Sequence, residues 1–155
     1  LNRNRSPVIV AAVVGVGLLL FVLFMSIGSP NEEEKPEDFV QTFYEFEQIG
    51  DFGSSWEMFH PYMQEKMKKD TYIERKAHVF MHEMGSTTFD LWVGESTPLE
   101  EWKMPDTDVV AAEVVEVPVQ LTYNKTLFGV ITVSQTCYVL KENGEWRMLW
   151  EYREE

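Results

Sequence analysis

Gly85-Ser86-Thr87-Thr88-Phe89-Asp90-Leu91-Trp92-Val93 is the stretch in which the chain changes its hydrophobic period. Before it, apolar residues recur every three or four positions, the spacing of one helix face. From Thr87 onward they alternate, the spacing of a strand with one face buried. Thr87, Phe89, Leu91 and Val93 fall on one side and Thr88, Asp90 and Trp92 on the other. A first strand therefore starts directly after a helix that Gly85 ends. Helices first and strands second predict an α+β domain, an antiparallel sheet covered on one face by helices.

Upstream of Gly85 the pattern predicts three helices. Pro36 suits a first helical position, and Phe39, Phe43, Phe46 and Gly50 follow at helical intervals, so residues 36–49 form the first. Gly50 to Gly53 is a break. Ser54 and Glu57 then make a capping box ahead of Trp56, Phe59, Met63 and Met67, predicting a second helix bent at Pro61. Asp70 or Thr71 caps the third, whose apolar stripe is Ile73, Ala77, Phe80 and Met84.

Downstream, residues 95–108 read as a connecting segment. Val115, Val117, Val119, Leu121 and Tyr123 make a long strand, interrupted at Pro118, which has no N–H for a ladder and belongs at an edge or bulge. A hairpin at Asn124 and Lys125 leads to a third strand over 127–140. Asn143-Gly144 is a two-residue turn signal before a last strand, Trp146 to Tyr152. The expected sheet is curved and four-stranded.

The amino-terminal part reads differently. From Pro7 to Ile27 there is no charged side chain, and about 20 apolar residues cross a hydrocarbon layer of about 30 Å, so residues 7–27 are expected to be a transmembrane helix. Arg3 and Arg5 precede the run, and Glu32, Glu33, Glu34, Glu37 and Asp38 follow it. Residues 1–6 are thus expected in the cytoplasm, residues 28–35 as a polar tether, and 36–155 as an extracytoplasmic domain at the cell membrane. A cleaved signal peptide is the competing reading, although the apolar run exceeds the usual 7 to 15 residues. Without Arg3 and Arg5, 11 basic residues face 26 acidic ones, a net charge of −15. Nucleic acid is excluded as a partner. The single cysteine, Cys137, rules out an internal disulfide and reads as a small core residue.

Three helices before a curved sheet resemble the nuclear transport factor two-like superfamily, also called the cystatin-like cone. The likeness covers residues 36–155. It rests on the aromatic helix Phe39 to Phe46, the segment Trp56-Glu57-Met58-Phe59-His60-Pro61 and the final strand with Trp146 and Trp150. A looser similarity is to membrane-anchored domains of this superfamily in Gram-positive envelopes. The resemblance implies an apolar cavity between helices and sheet, with Tyr44, Trp56, His60, Trp92, Tyr123, Tyr138 and Trp150 as candidate ligand-binding residues. It also implies a choice among non-catalytic binding modules, isomerases and dehydratases. The competing reading of the same aromatics is that they fill the cone as core.

No loud chemistry accompanies the fold. His78 and His82 are four apart, with Glu74 or Glu83 nearby, but they share the wheel sector of Thr71, Glu74 and Arg75, a solvated face. Neither a metal site nor a cofactor is expected. His60, ahead of Pro61, reads as a packing or capping residue, and Asp90 alternates away from Phe89 and Leu91 toward solvent. No catalytic residue is assigned. Asn124-Lys125-Thr126 matches a glycosylation acceptor and reads as a turn. The expected function is a membrane-anchored extracytoplasmic binding or interaction module, the alternative a small-ligand binder or an isomerase- or dehydratase-like enzyme using the cavity. Expected partners are the lipid bilayer through residues 7–27, an envelope protein, and a second copy paired through an outer sheet face bearing Val114, Val130, Thr132 and Leu149.

Overall fold

The computed structural model describes residues 34–149, apart from 84, 87, 104–107 and 109. The expected transmembrane helix at 7–27, the segment before it, most of the tether, and Trp150 lie outside the described residues. Among the described residues no helix is long and apolar enough to cross a membrane. The described residues from Lys35 onward form one compact unit, an α+β domain of four helices on a curled antiparallel sheet.

Helix α1, Pro36–Gln48, starts on proline with Glu37 and Asp38 in its first turn, where acidic side chains favour the helix dipole. Phe39 and Phe43 are buried as their spacing requires, together with Val40, Tyr44 and Glu47. Helix α2, Phe52–Glu57, is capped by Asp51. The expected Ser54–Glu57 box is not what forms. Ser54 is the third helical residue, and its N–H and hydroxyl both donate to the Asp51 carboxylate, at 3.1 and 2.7 Å.

The expected bent second helix is two separate ones, because the chain between them joins the sheet. His60 N–H donates to the Met148 carbonyl and Met148 N–H to the Met58 carbonyl, both at 2.9 Å, so Phe59 bridges to Met148 in parallel. Helix α3, Pro61–Lys66, restarts behind His60, whose Nδ1 accepts from Tyr62 N–H at 3.2 Å. Helix α4, Lys69–His78, begins before the expected caps, Asp70 lying in its first turn, and runs into a π-helical turn, Val79–Glu83. The expected stripe holds at Phe80, which is buried, and at Ala77, which packs against the core, but at its start Tyr72 is buried and Ile73 exposed. Gly85, at φ 61°, closes the helix, and Ser86 N–H reaches back to the Phe80 carbonyl at 3.2 Å.

Five strands follow, not four: β1 Asp90–Val93, β2 Thr97–Lys103, β3 Val110–Thr126, β4 Gly129–Glu142 and β5 Glu145–Leu149. All neighbours are antiparallel. β3 pairs with β4 and β4 with β5, while β1 and β2 lie one after the other along the free side of β3. The expected connecting segment at 95–108 is therefore partly strand. Pro118 explains the split, since it sits inside β3 rather than at the sheet edge. Its carbonyl accepts from Gly94 N–H at 2.8 Å, so its missing donor faces the gap between Val93↔Val119 and Thr97↔Glu116.

The expected hairpin at Asn124 and Lys125 lies further on, at Leu127 and Phe128, because a register shift follows Tyr123 and the ladder resumes at Thr126↔Gly129. The Asn143-Gly144 turn forms where expected.

Val117, Val119, Leu121 and Tyr123 of β3 turn their side chains to the helices and are buried with Val40, Phe43 and Tyr44. Edge-to-face ring contacts join the layers, Phe43 to Phe59 at 5.4 Å and Phe59 to Tyr72 at 5.3 Å. Val114 and Leu149, expected on an outer dimerising face, are buried instead, and only Val130 and Thr132 of that set are exposed.

Candidate functional site

A cavity of about 400 Å³ lies between α1, α4 and the strands β4 and β5, within the size range of small-molecule sites. Phe43, Phe59, Met148 and Leu149 supply its apolar walls. Tyr44, Tyr72, Lys76, Gln135 and Cys137 supply polar atoms, and Thr136 and Tyr138 complete it.

Local structure explains why these side chains converge. Phe43 and Tyr44 sit on the buried stripe of α1, and Tyr72 and Lys76 are one turn apart on the inward side of α4. Gln135 and Cys137 occupy alternate positions of β4, opposite the buried Val119 and Val117 of β3. The Tyr44 hydroxyl joins the two layers. It accepts from Gln135 Nε2 and shares a hydrogen bond of 3.3 Å with the Cys137 sulfur.

Behind one wall lies a buried ionic cluster. Glu47 is 1% exposed. Its Oε1 accepts from the Ser55 hydroxyl at 2.5 Å and the Tyr72 hydroxyl at 2.8 Å. Its Oε2 has no hydrogen-bond donor besides and rests on the ion pair with the Lys76 ammonium. A carboxylate taken out of water is costly unless it is paired and hydrogen-bonded. Glu47 meets both conditions. Lys76 also lies over the rings of Tyr72 and Phe80, 5.7 Å from each centroid, and remains partly exposed on the cavity wall.

Burial sets the protonation of the hydroxyls and the thiol. It pushes Cys137 up to about 11, against the smaller opposing effects of Tyr44 and Lys76. Tyr44 is raised well above the usual tyrosine range by burial and by Cys137, and Tyr72 by burial and the Glu47 charge. Tyr123 is raised to about 12, again chiefly by burial. The cavity therefore presents neutral donors and one ammonium, not a thiolate nucleophile.

Of the seven residues singled out from sequence, Tyr44 and Tyr138 line this cavity. Tyr123 is buried elsewhere, its ring 5.6 Å from Phe89 and 5.9 Å from Phe80. Trp56 is half-buried between helices, its Nε1 donating to the Met67 carbonyl at 2.8 Å. His60 caps α3 and has its Nε2 3.7 Å from a Glu142 oxygen. Trp92 is 54% exposed, paired with exposed Gln120 on the outer face of the sheet. Trp150 lies outside the described residues.

Sequence reasoning missed Tyr72, Lys76, Gln135 and Glu47. Glu47 had a signal: it stands four residues after Phe43 and eight after Phe39, on the apolar face of its own helix. Lys76 had only the weaker one of lying four after Tyr72. His78 and His82 stack at 4.9 Å on an exposed surface, and no group of three metal-ligating side chains occurs among the described residues. No protein-family model matches this sequence, and no curated protein shows significant similarity to it.

Proposed function

We propose that this chain is a membrane-anchored extracytoplasmic binding module of the nuclear transport factor two-like kind, which holds a small molecule with both polar and apolar groups between its helices and its curled sheet. The cavity of about 400 Å³ carries this reading. Rings and aliphatic groups form much of its wall, while Tyr44, Lys76 and Gln135 gather polar atoms on it. Placed polar groups beside apolar rings are what orient a ligand. A carbonyl, hydroxyl or carboxylate oxygen on the guest would meet the Lys76 ammonium.

The order of elements, helices and then a curled antiparallel sheet, supports the family resemblance. The uncharged run from Pro7 to Ile27, with Arg3 and Arg5 before it, supports the anchor. Catalysis draws less support. The buried carboxylate, Glu47, is committed to Ser55, Tyr72 and Lys76 rather than poised as a base.

Thermal melts of the full chain in detergent, against a set of aromatic and aliphatic ketones, phenols and carboxylates, test the reading. A ligand at 100 times its dissociation constant adds about 2.7 kcal/mol of stability. Gln135→Trp, at an inward-facing position of the cavity wall opposite the buried Val119, is expected to abolish that rise, whereas Trp92→Ser on the outer face leaves it. The reading fails if no compound raises the melting temperature, or if Gln135→Trp leaves every rise intact.

A further inference from the structure

The β3–β4 hairpin is chemically unlike the rest of the chain. Acidic residues number 26 in the whole sequence, yet none lies between Glu116 and Glu142, and in 117–140 the single charged residue is Lys125. Its turn is built from two large apolar residues, Leu127 at 88% exposure and Phe128 at 82%, with Val130 beside them at 66%. Beyond the Thr122↔Thr132 pair no other strand flanks the hairpin among the described residues, since β1 ends its ladder at Asp90↔Thr122 and β5 pairs only with Tyr138–Glu142. The tip thus projects past its sheet. Behind it the exposed residues are hydroxyls and amides, Gln120, Thr132, Ser134 and Thr136, with Thr122 and Thr132 joined at 3.2 Å.

We propose that this tip is a lipid-contacting wedge, seating Leu127 and Phe128 in the outer surface of the bilayer. Two observations choose lipid over other occupants. The acidic domain would be repelled by anionic headgroups, and within residues 36–155 the hairpin is the one long segment from which carboxylates are missing. The chain also carries the uncharged run 7–27, which brings a bilayer within reach of the domain. Two side chains alone bind a membrane weakly and reversibly. On a tethered domain the effective lipid concentration is on the order of millimolar or higher, so a weak contact is populated. The inference rests on the anchored reading for that proximity and is independent of the cavity.

The test uses the full chain with Cys137→Ser, Leu127→Cys carrying an environment-sensitive fluorophore, reconstituted into phosphatidylcholine liposomes with doxyl-labelled lipid. A matching chain is labelled at Asn143→Cys, in the charged turn at the other end of β4. The label at 127 is expected to be quenched at least threefold more than the label at 143, and Phe128→Asp is expected to remove most of that difference. Equal quenching at both positions, with the chain floating with the liposomes, overturns the wedge and leaves the anchor standing. A chain that does not float overturns anchor and wedge together. Label-to-label proximity at 127 that rises with protein density, without lipid quenching, assigns the tip to a second copy and overturns the proposal.

Discussion

Two regions of this domain invert the usual division between inside and outside, and they do so with opposite completeness. At Glu47 a charge is buried, and every cost of burying it is met within the chain by Ser55, Tyr72 and Lys76. At Leu127 and Phe128 large apolar side chains stand in water, and nothing in the described fold covers them. An inversion compensated internally serves architecture, here the wall of a cavity. One left uncompensated points outward, to whatever the domain touches.

The contrast breaks most visibly at the buried end. Glu47→Ala or Lys76→Met removes one partner of a desolvated pair, and each is expected to cost about 3–5 kcal/mol of unfolding free energy in urea melts. A loss under 1 kcal/mol would mean the cluster is hydrated. Tyr72→Phe removes one donor to the carboxylate and is expected to cost about 1–3 kcal/mol.

Alkali probes the same region through its hydroxyls and thiol. Each of these groups is neutral when protonated, and burial favours the neutral form, so the folded state holds the proton more tightly than the unfolded state. Their contribution is fully present below the ordinary values of 9.0 for Cys137 and 10.0 for Tyr123, and is lost as pH rises through about 11 and about 12. Denaturant midpoints between pH 8 and 12 are expected to hold to about 9.0 and then fall. Cys137→Ser should delay the onset of that fall.

Gly144→Ala sharpens the comparison from the other turn of β4. At φ 86° a Cβ is strained even in open space, and a cost of about 1 kcal/mol is expected. Smallest of all is the effect at the exposed tip. Leu127→Ser with Phe128→Ser should change stability by no more than about 0.5 kcal/mol, and a larger loss would show that the tip packs within the domain after all.

Much of this architecture was legible before any coordinates. Phe39 and Phe43 marked the buried side of α1, the alternation from Val117 to Tyr123 marked the inner face of β3, and Asn143-Gly144 marked the turn between β4 and β5 because both residues sit at positive φ, 53° and 86°. The other hairpin was misplaced for the same physical reason. Its positive φ belongs to Gly129, at 93°, after two residues of no turn preference, so Asn124 was the more persuasive signal.

Other misses share a cause, dependence on distant partners. Thr97–Lys103 reads as a loop because Pro98, Glu100 and Glu101 are exposed along an edge, and only pairing with β3 makes it a strand. The break at Met58–His60 exists because Met148 supplies the backbone bonds. Within the site, Tyr44 was found and Lys76 was not, since a lysine on a helix reads as solvated until the carboxylate it meets is known.

The interruption opposite Pro118 has a consequence for how copies behave when crowded. An uninterrupted outer strand would offer a long row of unsatisfied backbone groups, a template for a stray chain to zip onto. Here that row is cut into four and seven residues whose registers differ across the gap, with Pro98 and three charged side chains on the longer piece. Gly94, where an added Cβ would stand 2.6 Å from the Trp92 ring and 2.8 Å from Pro118, keeps the cut in place. The rim of the sheet is thereby blunted against aggregation.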